Sequence, residues 1–219
     1  MHSSVQKLLH IEKLVKSKEL NSDILKSPTI IAVSKTFSLD KIMPLIDHGH
    51  CDYGENKVQE ALDKWGKIKL ERPELVLHLI GKLQTNKVKF ALKIFDFIHS
   101  VDSKKLASKI YDEQLKQNKK VKIFIQVNLG NEVQKSGVLK NDLNELYLYC
   151  MSLKLNVVGL MCIPPVNSDP DPFFNELNEL NKNFSLKDLS IGMSSDYIKA
   201  VENHSTYLRV GSAIFGNRT

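Results

Sequence analysis

The sequence predicts an α/β fold, a single (β/α)8 TIM-type barrel with one added helix at its N-terminus. Three observations carry that expectation. Eight short apolar runs alternate with segments of helical periodicity. The best-defined strands separate into one apolar face and one face that turns polar toward its C-terminal end, where barrel sites form. No shift of composition and no low-complexity tract marks a linker. A doubly wound open sheet is the structural alternative. The expected division is 1–27 for an N-terminal helical segment and 28–219 for the barrel, together one domain, which 219 residues can furnish with a core.

The elements follow in order. Val5, Leu8, Leu9, Leu14 and Val15 recur at helical spacing, with Lys7, Glu12, Lys13 and Lys16 mostly opposite, so the chain opens on a packing helix. The first strand, Thr29 to Ser34, ends at Lys35, and alternation puts Ile31, Val33 and Lys35 on one face. Ser38 is the expected cap of a helix through Ile42, Leu45 and Ile46, and Gly49 is its stop. Cys51 to Tyr53 forms the second strand, before a helix over about 56–67. Leu75 to Ile80 is the third, before a helix over Val88, Leu92 and Ile94. Phe97 to Val101 is the fourth, with Ser103 capping a helix that runs to about Asn118. Val121 to Asn128 is the longest apolar strand; Val121, Ile123, Ile125 and Val127 share the face that should meet helices, and Lys122, Phe124, Gln126 and Asn128 share the other. A helix about Leu143, Leu146 and Leu153 follows it. Val157 to Ile163 then runs into Pro164, Pro165 and the polar stretch Asn167 to Pro172, the most loop-like segment. A helix about Phe174, Leu177 and Leu180, a short strand Leu189 to Ile191, a helix near Tyr197 to Val201 and a last strand Tyr207 to Val210 complete the pattern.

Lys and Arg number 31 against 25 Asp and Glu, a net charge of +6, yet the basic residues are scattered along helical faces rather than clustered with aromatics. That pattern points to an anionic small ligand and away from nucleic acid. Cys51, Cys150 and Cys162 are odd in number and far apart, so no disulfide framework is expected, and a reducing cytoplasm fits. No apolar run has the length of a membrane span, and the opening residues lead into an amphipathic helix rather than a signal peptide.

Several side chains could carry chemistry. Lys35 would sit on a stiff strand end against core residues, where desolvation favours the neutral amine that attacks an aldehyde. The plainer reading is a lysine reaching from the strand end to water. In the last strand Arg209 alternates with Leu208 and Val210, so it points inward if those two meet helices. The loops after strands seven and eight commonly hold phosphate in such barrels. Here they supply Ser194 and Ser195, and Gly211 and Ser212, which would otherwise be caps and a turn glycine. Closure makes the first and last strands neighbours, bringing Lys35 to face Arg209 across a gap the size of a pyridine ring. An amine, a phosphate cradle and a polar group aimed at a ring describe pyridoxal 5′-phosphate. An arginine at the ring nitrogen disfavours a second positive charge there and weakens the electron sink, so the site suits holding the cofactor more than using it. His78 faces the interior, as a cofactor contact or a satisfied core histidine. Lys135 brings a second amine to the mouth or belongs to a solvated turn. His48 and His50 flank the helix-stop Gly49 and are not read as metal ligands; Tyr53 and Trp65 are read as core.

The segments Ala32–Thr36, Gly54–Glu60, His78–Lys87, Ile125–Asn128, Lys135–Gly137, Gly159–Met161 and Arg209–Gly216 resemble, in order, those of the pyridoxal phosphate homeostasis proteins. The resemblance implies a barrel like the N-terminal domain of alanine racemase and a covalent aldimine of pyridoxal phosphate at Lys35. It implies that Asn56 lies beside the cofactor, Arg209 faces its ring nitrogen, and Ser195, Gly211 and Ser212 hold its phosphate. Lys57 and Lys82 depart from the family, which often has an aromatic or apolar residue and a proline there. The implied function is binding, buffering and supply of intracellular pyridoxal phosphate without a dedicated reaction, in a cytoplasmic monomer or weak homodimer. Pyridoxal phosphate-dependent apo-enzymes are the implied recipients, with no nucleic acid and no membrane partner. The alternative is an amino-acid racemase or related enzyme of the same fold. Family racemases take a second acid/base tyrosine from an added β domain, and none is expected after residue 219.

Overall fold

A computed structural model describes residues 1–19, 27–132 and 134–216. The expected extents 1–27 and 28–219 therefore reach into 20–26 and 217–219, which lie outside the described residues. Eight parallel strands close into a barrel in sequence order, β1 Thr29–Val33, β2 Asp52–Glu55, β3 Val76–Leu79, β4 Phe97–Val101, β5 Lys122–Gln126, β6 Asn156–Met161, β7 Asp188–Met193 and β8 Tyr207–Val210. Helices α1 Ser3–Glu19, α2 Leu39–Asp47, α3 Val58–Glu71, α4 Val88–Ile94, α5 Lys104–Gln117, α6 Lys140–Ser152, α7 Asp171–Asn183 and α8 Tyr197–Glu202 alternate with them, and the short α9 Ser212–Phe215 follows β8. Closure excludes the open sheet: β1 pairs with β8, with Ile31 opposite Arg209.

Alternation along the strands divides the core as expected. Ile30, Ala32, Ile123, Ile125, Leu208 and Val210 join the large apolar layer between barrel and helices, while Phe97, Phe124 and Met161 fill the barrel with Tyr207 packed on them. Tyr53 and Trp65 belong to the outer layer, their ring centroids 4.8 Å apart. Helix α1 packs on α2, α8 and α9 through Val5, Leu8, Ile11 and Val15. Leu9, read from the sequence as part of that stripe, is exposed, because a seam built on Leu8 leaves its neighbour about 100° around the helix.

Boundaries differ where the parallel ladder overrides local propensity. β2 runs on through Gly54 and Glu55, which pair with His78 and Leu79, so α3 starts at Val58 rather than near residue 56. Gly54 suits that strand because a Cβ there would stand 2.9 Å from Ile31 Cγ2 inside the barrel. β7 is longer than the expected 189–191, and β5 shorter than 121–128. Ser103 caps α5 by accepting from the Leu106 N–H at 3.4 Å, whereas Ser38 occupies the cap position of α2 without a side-chain bond.

Candidate functional site

The C-terminal ends of the strands surround a cavity of about 370 Å³. Lys35, Asn56, Ser194, Ser195, Arg209, Gly211 and Ser212 all line it, against apolar walls from Val33, Phe37, Ile80, Ile163 and Met193. The first seven come from β8, from the loops after β1, β2, β7 and β8 and from the start of α9, and closure of the barrel is what unites them. Phe37 packs against Phe215 with centroids 5.0 Å apart and the rings tilted by 31°, tying the loop after β1 to α9.

Lys35 stands two residues beyond β1, half-buried, on a backbone held from behind. Thr36 adopts φ +68°, a left-handed conformation that a β-branched residue enters only under constraint. The constraint is Glu60 of α3, whose carboxylate accepts the Thr36 N–H at 2.5 Å. Burial opposes ionisation of Glu60, but that N–H and Lys64, 3.0 Å away, outweigh it and lower its pKa. Lys64 also donates to the Ser34 carbonyl at 2.8 Å and to the buried Glu55 carboxylate at 2.9 Å. The same Glu55 oxygen accepts from Ser34 Oγ at 2.7 Å and from Trp65 Nε1 at 3.0 Å. The backbone on both sides of Lys35 is thus clamped by α3. Nothing in the sequence ties this clamp to the site, since none of its carboxylates touches the cavity; the Glu60-Lys64 spacing of four on a helix is its one local signal.

Asn56 reaches the cavity from the turn after β2. Its place depends on Gly81, where a Cβ would fall 2.4 Å from the Asn56 carbonyl oxygen, so the two loops can approach this closely only over a glycine. The loops after β7 and β8 meet through Ser194, whose Oγ accepts the N–H groups of Gly211 at 3.1 Å and Ala213 at 3.3 Å. Ser195 and Ser212 stand exposed at the rim beside them. The sequence expected these two loops to converge, and they do; it did not foresee that Ser194 would be the side chain that joins them.

Arg209 is 4 % exposed. Its Nη1 donates to the Ser190 carbonyl at 2.6 Å and to Ser190 Oγ at 2.7 Å, and its Nη2 to the Cys162 carbonyl at 2.9 Å. Burial lowers its pKa, and these acceptors are what keep a buried guanidinium tolerable.

For His78 the sequence left two readings, a cofactor contact and a satisfied core histidine, and its surroundings match the second. It is fully buried in the barrel below the cavity and is not among the lining residues. Its ring stacks on Phe97 at 4.5 Å and bridges Asp52 and His99, so the interior satisfies both of its nitrogens. Lys135 does reach the mouth, in a cleft that shares Asn56, Ile80 and Ile163 with the main cavity. There it lies 2.5 Å from Glu132 Oε2 and donates to the Pro164 carbonyl at 3.1 Å. His50 bonds the Asp52 carbonyl, and among the described residues no group of His, Cys, Asp and Glu could hold a metal ion. The Cys150 and Cys162 thiols are buried and pushed up to about 12 by that burial. No helix of the described residues is long and apolar enough to cross a membrane.

Three comparisons bear on this geometry. Residues 17–219 match the family of the alanine racemase N-terminal domain. A pyridoxal phosphate homeostasis protein of Aquifex aeolicus is 39% identical over 199 residues, 86% of each chain. One of Vibrio cholerae is 34% identical over 232 residues, covering 100% of this chain and 98% of its own. The structure of PipY from Synechococcus elongatus, solved with pyridoxal phosphate bound, superposes with a TM-score of 0.82 at 32% identity, over 93% of this chain and 100% of that one.

Proposed function

The chain belongs to the alanine racemase N-terminal domain family, among the pyridoxal phosphate homeostasis proteins, and from that membership we propose that it binds pyridoxal 5′-phosphate and buffers and supplies it in the cytoplasm. The observation that carries the reading is the meeting of Lys35, Asn56, Arg209 and the serines of two loops in one cavity. About 370 Å³ lies within the range of small-ligand sites, and the donor set suits this ligand: an amine for an aldehyde, hydroxyls for a phosphate, a guanidinium for a ring acceptor. When bound, the cofactor would supply an aldehyde for reversible capture and an electron-poor ring. Lys35 is the group that bonds to the aldehyde, and the α3 clamp on Ser34 and Thr36 keeps its reach constant. Ser195 and Ser212 donate to the phosphate, while Ser194 holds the two loops in register. Arg209 stays cationic and so leaves the ring nitrogen without a proton, which suits retention and release over turnover. Recipient apo-enzymes would take the cofactor from this store.

The test is an absorption spectrum of the protein with pyridoxal phosphate, before and after borohydride, with peptide mapping of the reduced adduct. The expected result is a near-visible band lost on reduction and a single modified residue, Lys35. An adduct on another lysine, or no band, would overturn the reading.

A further inference from the structure

Five side chains cross the barrel interior as one hydrogen-bonded file. Arg209 Nη1 lies 2.7 Å from Ser190 Oγ, Ser190 Oγ 2.9 Å from His99 Nδ1, His99 Nε2 3.0 Å from His78 Nδ1, and His78 Nε2 2.9 Å from Asp52 Oδ1. Ser190, His99 and His78 are wholly buried, with the two rings stacked on Phe124 and Phe97. Asp52 is the most exposed of the five, with a quarter of its side chain open to solvent, against 4 % for Arg209. It sits at the first residue of β2 and lines a cleft with Glu12, Lys16, His50 and Cys51, remote from the cavity that Arg209 lines.

The two ends dictate where each proton sits. Arginine only donates, and an ionised carboxylate only accepts. Ser190 Oγ therefore accepts from Arg209 and gives its own proton to His99 Nδ1. His99 carries its hydrogen on Nε2 and donates to His78 Nδ1; His78 carries its hydrogen on Nε2 and donates to Asp52. Reversing any link would set two hydrogens or two lone pairs face to face in a buried site. Both rings are neutral in this arrangement, and burial, the largest influence on each, lowers both their pKa values.

We infer that Asp52, His78, His99 and Ser190 are positioning residues for Arg209, a polarised file by which the charge at the foot of the barrel sets the hold on the guanidinium at its mouth. The carboxylate makes each group toward Arg209 a better acceptor than it would be by itself. Ser190 takes both Nη1 hydrogens and Cys162 one of Nη2, which leaves the other Nη2 hydrogen and the Nε–H to serve the cavity. The effect on ligand rests on the reading that Arg209 meets the pyridine ring; the proton order does not.

Nitrogen NMR of the ligand-free, histidine-labelled protein at neutral pH is the first arm, and both rings should be neutral Nε2–H tautomers. The second arm is titration of Asp52→Asn with pyridoxal phosphate. The amide keeps an acceptor for His78 but removes the charge. The expected outcome is a displaced absorption maximum and a Kd raised about fivefold, at a thermal midpoint close to the parent's, with Asp52→Glu restoring both. An Nδ1–H tautomer at either histidine, or parent-like Kd and absorption in Asp52→Asn, would overturn the inference. If the unsubstituted protein takes up no pyridoxal phosphate, the functional reading fails and the tautomers decide the file. Those tautomers are read without substitution, so a variant that does not fold leaves that arm intact.

Discussion

Lys64 reaches from α3 to within 2.9 Å of the fully buried carboxylate of Glu55. The pair joins the helix to the strand that neighbours Lys35, through the Ser34 carbonyl and the Ser34 hydroxyl. Three donors converge on one Glu55 oxygen, and the other, Oε2, has no partner among the described residues.

Removing one member of a buried pair strands the other. Lys64→Met should therefore cost about 3–5 kcal/mol in urea denaturation, with a matching loss of pyridoxal phosphate affinity as Ser34 and Thr36 lose their hold. A cost below about 1 kcal/mol would mean that the pair behaves as a surface one.

Lys35→Ala should abolish the near-visible band of the bound cofactor and leave the far-ultraviolet circular dichroism unchanged. The side chain is half-buried and lies past the end of β1, so its truncation removes little core. Weak, non-covalent retention through the phosphate should persist in equilibrium dialysis.

The rim serines should discriminate the phosphate ester from plain pyridoxal. Hydrogen bonds to a charged group contribute roughly 1.5–3 kcal/mol each, so two of them imply at least about a hundredfold preference in competitive titration. Ser212→Ala should weaken the ester and leave pyridoxal unchanged. Ser194→Ala should also lower the melting temperature, since its Oγ accepts two backbone N–H groups that join the loops. Equal weakening of both ligands by Ser212→Ala would remove the phosphate from these loops.

Stability should fall as pH drops below about 6.5, the ordinary histidine value. His99 and His78 are held below that value, by burial first, with His78 and Arg209 adding to the effect on His99 and Asp52 opposing it on His78. Above pH 6.5 neither state binds these protons. Below it the unfolded chain takes them up while the folded protein does not, so each histidine can cost up to about 1.4 kcal/mol per pH unit. Urea midpoints measured from pH 7.5 to 5 should fall, and His99→Gln should flatten the slope. A profile that rises toward pH 5 would contradict the buried neutral rings.

The strand-helix alternation, the inward face of β5 and β8, and six of the cavity residues, Lys35, Ser194, Ser195, Arg209, Gly211 and Ser212, are legible in the amino-acid sequence, whereas Asn56 came only with the family resemblance. Period-two and helical patterning are local properties, and closure of eight such units leaves one mouth for the strand ends. The sequence also marked His78 as facing inward, but not what it would meet. His99 and Ser190 are 91 residues apart, and Ser190 and Arg209 belong to adjacent strands whose register is irregular. That His78 is satisfied by Asp52 and His99 rather than by a ligand, and that Glu55 is the buried acceptor behind Lys35, follows from how the strands come together. Hydrogen-bond partners across a barrel depend on register and stagger, which no stretch of chain encodes locally, whereas the face a residue occupies depends only on its neighbours in sequence.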